Sequence, residues 1–180
     1  MTPQAVLAFW FAEGMEARWF VKDETFDAEV RAVLGAAHGQ AVAGVYSKWQ
    51  DSAEGCLSLV LLLDQVSRNL YRDDPRAFAN DPHARAVACR AIDCGFDLAF
   101  NQQQRCFLYL PFEHSEDLAD QERCVDLMGA LDADPSWRDY AVQHRDIIAR
   151  FGRFPHRNRC LGRDSSPEEI AFLETPNSSF

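Results

Sequence analysis

The sequence predicts an all-α protein of about eight antiparallel helices joined by short turns in one compact domain. Three observations carry this. Apolar residues recur three and four apart along most of the chain. Five pairs, Thr2-Pro3, Asp74-Pro75, Asp81-Pro82, Asp134-Pro135 and Ser166-Pro167, place a capping residue before a proline, as at the start of a helix. No stretch alternates apolar and polar residues as a half-buried strand would.

In chain order, Thr2-Pro3 opens a short helix with Val6, Leu7, Phe9 and Trp10, which Gly14 closes. A helix beginning at 23–25 puts Phe26, Val30, Val33, Leu34 and Ala37 on one face, turns Asp27 outward, and ends at His38-Gly39. A weaker helical piece follows, with Val42, Val45, Tyr46 and Trp49. Residues 54–72 are apolar on every side in their first half, as expected of a central buried helix. Its second half places Asp64 and Arg68 four apart on the same stripe as Leu57, Val60 and Leu61. Such a pair is expected to be partly buried and hydrogen-bonded.

Asp81-Pro82 starts a helix with Ala84, Val87, Ala88, Ala91 and Ile92 on one face. Asn101 opens another through Phe107, Leu108 and Leu110, which Pro111 is expected to end. Ser115 is placed to cap a helix over 116–131. Asp134-Pro135 leads a long helix whose stripe, Trp137, Tyr140, Ala141, His144, Ile147, Ile148 and Phe151, puts His144 on the buried face. Gly152 suits its C-cap, a loop runs from Arg153 to Arg163, and Ser166-Pro167-Glu168-Glu169 forms a capping box for the last helix. The domain spans 1–180, with a core over about 3–174 and a C-terminal tail over 175–180.

The longest apolar run, Leu59 to Leu63, is far short of the roughly 20 residues of a membrane span. No basic region precedes the first apolar residues, so no signal peptide is expected and the protein is assigned to the cytoplasm. A net charge of −10 argues against nucleic-acid and membrane-surface binding. Six scattered cysteines without a C-x-x-C pair are those of a reduced chain. Helices of this kind can bury an exposed face against a second copy, so a homodimer is an open option.

Against this acidic background one segment is basic. Residues 141–163 hold six Arg and one Asp. Together with Arg68 and Arg72, the segment's Arg150, Arg153, Arg157 and Arg163, joined by His114, His156 and Asn158, make a donor-rich set suited to carboxylate or phosphate.

Three strings carry a resemblance: Leu61 to Asn69 with Tyr71-Arg72, Phe107 to Glu116, and Arg150 to Asn158 with Leu161-Gly162-Arg163. In this order they resemble the uncharacterised bacterial domain-of-unknown-function family nine-two-four. The likeness runs from about residue 3 to residue 173. It implies a tetratricopeptide-like fold of helical hairpins and brings no agreed activity or catalytic residues. Val66-Ser67 and Cys160 depart from the family pattern.

Two functional classes follow. The first is a binding protein that takes a small anionic ligand or an acidic peptide into an Arg/His-lined cleft, formed by Asp64, Arg68, Arg72, Glu113, His114, Arg150, Arg153, His156, Arg157, Asn158 and Arg163. The second is a hydrolase or transferase for a phosphate- or carboxylate-bearing metabolite, with His114, His156 or Glu113 as acid or base. Binding ranks ahead because no nucleophile, metal motif or phosphate loop marks an enzyme. A third reading gives the arginines a structural role, paired with Asp64, Asp81, Glu113, Glu116 and Asp117. A metal held by His114, His156 or His144 with Glu113 or Glu116 is disfavoured by the spacing and by nearby arginines, so neither metal nor cofactor is expected. Cys160 beside Arg159 and Arg163, with His156 four residues before it, would be a lowered-pKa thiol.

Overall fold

The computed structural model describes residues 1–131 and 134–179. The described residues form an all-α structure without a strand. The α-helices are α1 (Pro3–Trp10), α2 (Glu24–Val42), α3 (Ala53–Val60), α4 (Val66–Leu70), α5 (Asp81–Asp93), α6 (Gln102–Glu113), α7 (Leu118–Gly129), α8 (Pro135–Phe151) and α9 (Pro167–Leu173). A π turn over Leu61–Gln65 joins α3 to α4 without a break. No described helix is long and apolar enough to cross a membrane. The chain divides into two compact units, Met1–Arg72 with Arg76–Pro111, and Asp73–Pro75 with Phe112–Phe180. The tail expected at 175–180 turns at Asn177, and Ser178 Oγ ties it back to the Leu173 carbonyl at 3.1 Å. Phe180 lies outside the described residues.

In the first unit the α3–π–α4 rod is the centre, packed by α1, α2 and α5. Leu57 and Leu61 to Leu63 are fully buried, as a rod apolar on every side requires. Phe107 is ringed edge-on by Trp10, Phe11 and Trp19 at 4.7 to 5.8 Å between centroids. Trp19 Nε1 donates to the Trp10 carbonyl at 2.9 Å, so the indole's polar edge is satisfied. α1 stops at Trp10, ahead of Gly14, which holds a left-handed turn with φ of 81°. Val33 is 42 % exposed and leaves the predicted stripe, while Asp27, expected to face outward, is drawn into an ion pair. α2 runs on through Val42, and the weak helical piece after it is a 3-10 turn over Ser47–Asp51. Asp74-Pro75 yields only a 3-10 turn, Pro75–Ala77.

The single helix expected over 54–72 contains the π turn, and its widened backbone loosens the regular ladder. Carbonyls of the π turn take side-chain donors: Leu62 faces His38 Nδ1 at 2.8 Å, Leu63 accepts from Ser67 Oγ at 2.7 Å and Asp64 from Arg68 Nη1 at 2.9 Å. α6 also corrects the expected stop, because it passes through Pro111 and ends at Glu113. A proline costs one backbone donor, and two further residues complete the turn in a well-buried setting.

In the second unit α7 packs on α8, and α9 packs on the short 3-10 turn Pro155–Arg157. Asp117 caps α7, with its side chain accepting from the Ala119 amide at 2.8 Å. Ser115, the expected cap, instead donates to Asp120 and accepts from the Asp117 amide. Ile147, Ile148 and Phe154 form a core against which Phe151 and Phe172 pack. Tyr140 is 53 % exposed and does not share the buried stripe of α8. Gly152 closes α8 with φ of 68°, and the capping box of Ser166 and Glu169 opens α9 as the residue types dictate.

Candidate functional site

The candidate residues fall into two sets, one per unit. In the first unit Asp64 sits on the π turn with its side chain fully buried. Gln65 Nε2 donates to its Oδ2 at 2.6 Å, and Arg68 Nη1 reaches its carbonyl at 2.9 Å and Oδ1 at 3.1 Å. Arg68 also grips Asp81 with two parallel bonds of 3.0 Å, and Phe78 faces the guanidinium. Burial works against the Arg68 charge, but Asp64 and Asp81 outweigh it and lift its pKa above the ordinary arginine value. Arg72 forms a two-point pair with Asp27, which also accepts from Asn69. Burial pushes the Asp27 carboxyl up, yet these donors bring it below its usual range. Both arginines are therefore held by carboxylates of their own unit.

An open surface pocket of about 400 Å³ lies elsewhere in the first unit, with Glu54 beside Phe100 and Gln104. None of the candidate arginines or histidines lines it, and its one charged side chain is acidic.

In the second unit the loop after α8 is pinned at both ends. Arg153 clasps Glu169 with Nε at 2.7 Å and Nη2 at 2.8 Å, and Nη2 also reaches the Asp164 carbonyl. The Arg153 hydrogen bonds, then the Ser166 amide and Asn158, hold the Glu169 carboxyl down to about 2. Arg163 clasps Glu116 at 2.7 and 2.9 Å, and the Phe154 amide donates to the same carboxylate at 2.8 Å. Burial raises the Glu116 pKa, but Arg163 and that amide carry it below the ordinary value. Fully buried Asn158 ties the strap together, accepting from Arg163 Nε at 2.9 Å and donating to Ser165 Oγ at 3.1 Å. Arg150 stacks over Phe151 and lies 3.7 Å from Glu168 on the surface, a pair worth little in water.

The pinned loop carries His156 and Arg157. The Arg157 guanidinium, on a residue only 6 % exposed, lies 4.4 Å over the Phe154 ring, and Nη1 donates to the His114 carbonyl at 3.0 Å. His144 from α8 packs edge-on against Phe154, and its Nδ1 faces the Tyr140 carbonyl at 2.8 Å. A carbonyl only accepts, so Nδ1 carries the ring proton. Burial is the main reason that His144 is held at about 3, and the positive fields of His114, Arg157 and His156 add to it. Glu113 Oε1 lies 3.7 Å from His144 Nδ1, and Cys124 Sγ approaches Oε2 at 4.0 Å. Gln121, fully buried, donates to the Glu113 carbonyl at 2.6 Å and to the Ser115 carbonyl at 2.7 Å, which fixes the end of α6.

Among the described residues no three His, Cys, Asp or Glu side chains are placed to hold a metal ion. The expected reactive thiol is corrected. Burial first, then Asp74 and Asp73, raise the Cys160 pKa and outweigh Arg157 and Arg163.

Sequence reasoning missed Glu169 and Asp27 as arginine partners, and Gln121 altogether. Glu169 was visible only as a capping residue, and it performs both tasks at once.

A family model described as a bacterial protein of unknown function, DUF924, matches residues 6–177. A solved structure, that of the protein of unknown function ATU0120 from Agrobacterium tumefaciens, is 42 % identical. The match covers 96 % of each chain with a TM-score of 0.90. None of the curated proteins compared matches the chain. The three strings that hold Asp64 and Arg68, Glu113 and His114, and His156 and Arg157 all lie inside the matched residues, and the chain belongs to the DUF924 family of bacterial proteins.

Proposed function

We propose that the chain is a helical binding protein that takes a small anionic molecule, or an acidic peptide end, at His114, His156 and Arg157 in the second unit. The observation that carries this reading is the pinned loop. Arg153 and Arg163 are committed to Glu169 and Glu116, so the strap between them is fixed before any ligand arrives. Arg157 on that strap is braced by an aromatic face and a backbone carbonyl. A guanidinium ordered in advance loses little freedom when it binds an anion. His114 meets it through the backbone carbonyl, and the rings of His156 and neutral His144 pack against the same Phe154. Of the remaining candidates, Arg68, Arg72, Arg153 and Arg163 serve as scaffold, as their carboxylate partners support. Tetratricopeptide-like hairpins would suit such a scaffold.

Thermal melting with a panel of phosphates and carboxylates tests the reading. A ligand at a hundred times its Kd adds about 2.7 kcal/mol and raises the melting temperature. Arg157→Lys and His156→Gln should abolish that increment. Arg153→Ala should lower the baseline but keep the increment. Flat curves for the wild type across the panel would leave the arginines a purely structural network. A product assay on any stabilising compound separates a hydrolase or transferase, with Glu113, His114 or His156 as acid or base, from a binder.

A further inference from the structure

The open cavity of about 400 Å³ in the first unit takes no part in the anion-binding reading, and it is built from different material. Leu7, Ala53, Ala99 and Phe100 give it apolar walls, and Glu54 and Gln104 stand among them as polar groups. That volume and that mixture are those of a small-molecule site. The polar groups are positioned in advance. Gln4 Nε2 donates to Glu54 Oε2 at 2.7 Å, which steadies the carboxylate. Gln104 Oε1 accepts from the Asn101 backbone amide at 3.2 Å, while the Gln104 backbone amide donates to Asn101 Oδ1 at 2.9 Å, so this side chain is anchored too.

Two of the lining groups have bonding capacity left over. Among the described residues, Glu54 Oε1 takes no hydrogen bond and no cation pairs with that side chain. Among the same residues, the Phe100 ring packs on no other ring and under no guanidinium. A carboxylate oxygen and an aromatic face share one preference, a positive charge. An anion would be repelled by Glu54, and a neutral molecule would leave its charge unanswered. The charge must arrive on a hydrocarbon body, because the side chains of Leu7, Ala53 and Ala99 can only cover apolar surface. The chain's net charge of −10 enriches such cations around it. We propose that this cavity is a second binding site, for a small organic amine in its ammonium form. Glu54 takes the charge, Phe100 faces it, and the apolar walls cover the hydrocarbon.

NMR titration of the nitrogen-labelled full chain with phenylethylamine, phenylethanol and phenylpropanoate tests this at constant ionic strength and about pH 7, where an alkylamine is protonated. The three probes share a body and differ in charge. The amine should shift the amides of Ala53, Glu54, Ala99 and Gln104 to saturation and bind about tenfold or more tighter than the alcohol, the combined effect of an exposed ion pair and a cation facing a ring. The carboxylate should not bind. Glu54→Gln keeps the length of an exposed side chain and an oxygen for Gln4, so the fold stays intact, and the preference for amine over alcohol should fall to about threefold or less. Phe100→Leu, which keeps an apolar wall without the ring face, should narrow the same ratio. Amine and alcohol binding within about twofold of each other in the wild type would overturn the proposal. So would shifts spread over the acidic surface without saturation, or no response to the amine. A capped lysine peptide that binds more tightly than the free amine would give the cavity to a protein partner and overturn the small-molecule assignment. None of these results bears on the anion site of the second unit.

Discussion

Replacing Arg68 by Met removes the charge at the centre of the first unit and keeps most of the side chain's bulk. The wild-type guanidinium makes two bonds of 3.0 Å to Asp81, one of 3.1 Å to the Asp64 carboxylate and one of 2.9 Å to its carbonyl. The Asp64 side chain is fully buried and that of Asp81 is 9 % exposed, so Arg68→Met leaves both carboxylates buried without that guanidinium. Breaking a buried pair from one side costs about 3–5 kcal/mol, and that is the loss expected near pH 7. The pH dependence has a definite sign. Protonating a carboxylate buried without its guanidinium relieves the cost of burying a charge, so the gap between variant and wild type narrows on acidification. A triple variant, Arg68→Met with Asp64→Leu and Asp81→Asn, should recover most of the loss, since no charge remains buried. Urea denaturation followed by tryptophan fluorescence is the assay, because Trp10, Trp19 and Trp49 all report on this unit. A loss below about 1 kcal/mol, or a gap that widens on acidification, would refute the account of a desolvated triad.

Three further outcomes are expected. Glu169, held at about 2 by Arg153, contributes stability that is complete above its ordinary value of 4.5 and is lost as pH falls toward 2; Glu169→Gln should therefore flatten the acid limb of a stability-against-pH curve in that window. His144 stays neutral to about 3 in the fold but takes a proton near 6.5 when unfolded, so wild-type stability declines below 6.5 and His144→Leu should remove that part of the slope. NMR of the ring should show no titration of His144 above about pH 4, and a midpoint near 6 would contradict its burial. Iodoacetamide should label exposed Cys94 ahead of Cys160, whose raised pKa keeps it a thiol at neutral pH; rapid labelling of Cys160 would show that the neighbouring arginines prevail after all.

Helix starts were legible in the sequence because capping is a local transaction. Thr2, Asp134 and Ser166 with Glu169 each bond to amides two or three residues away, so the residue types alone announce them. The buried pair of Asp64 and Arg68 was legible for the same reason, lying one turn apart on an apolar stripe. Asp81 and Glu116 were correctly named among the arginine partners. Asp117 was not a partner of that kind, since it caps α7. Asp27 and Glu169 escaped because their arginines lie 45 and 16 residues away, beyond any helical period. Pro111 misled because its missing donor marks an end only when the following residues find nothing to bury, and Phe112 and Glu113 are both covered. The reactive reading of Cys160 failed because burial first, and then Asp74 and Asp73, which the chain brings from far away, outweigh the neighbouring arginines.

The π turn over Leu61–Gln65 also sets how the chain tolerates changes in length. A helix with such a turn holds one residue more than an α-helix covering the same contacts, so its two halves are out of phase. Deleting one residue there would let a continuous α-helix form with both halves still turned to the same neighbours, so Arg68 would keep Asp81, and Asn69 and Arg72 would keep Asp27. The π turn is therefore where the central rod can lose a residue without disconnecting its polar anchors, and single-residue differences in length within this helix should fall at 61–65 in the family.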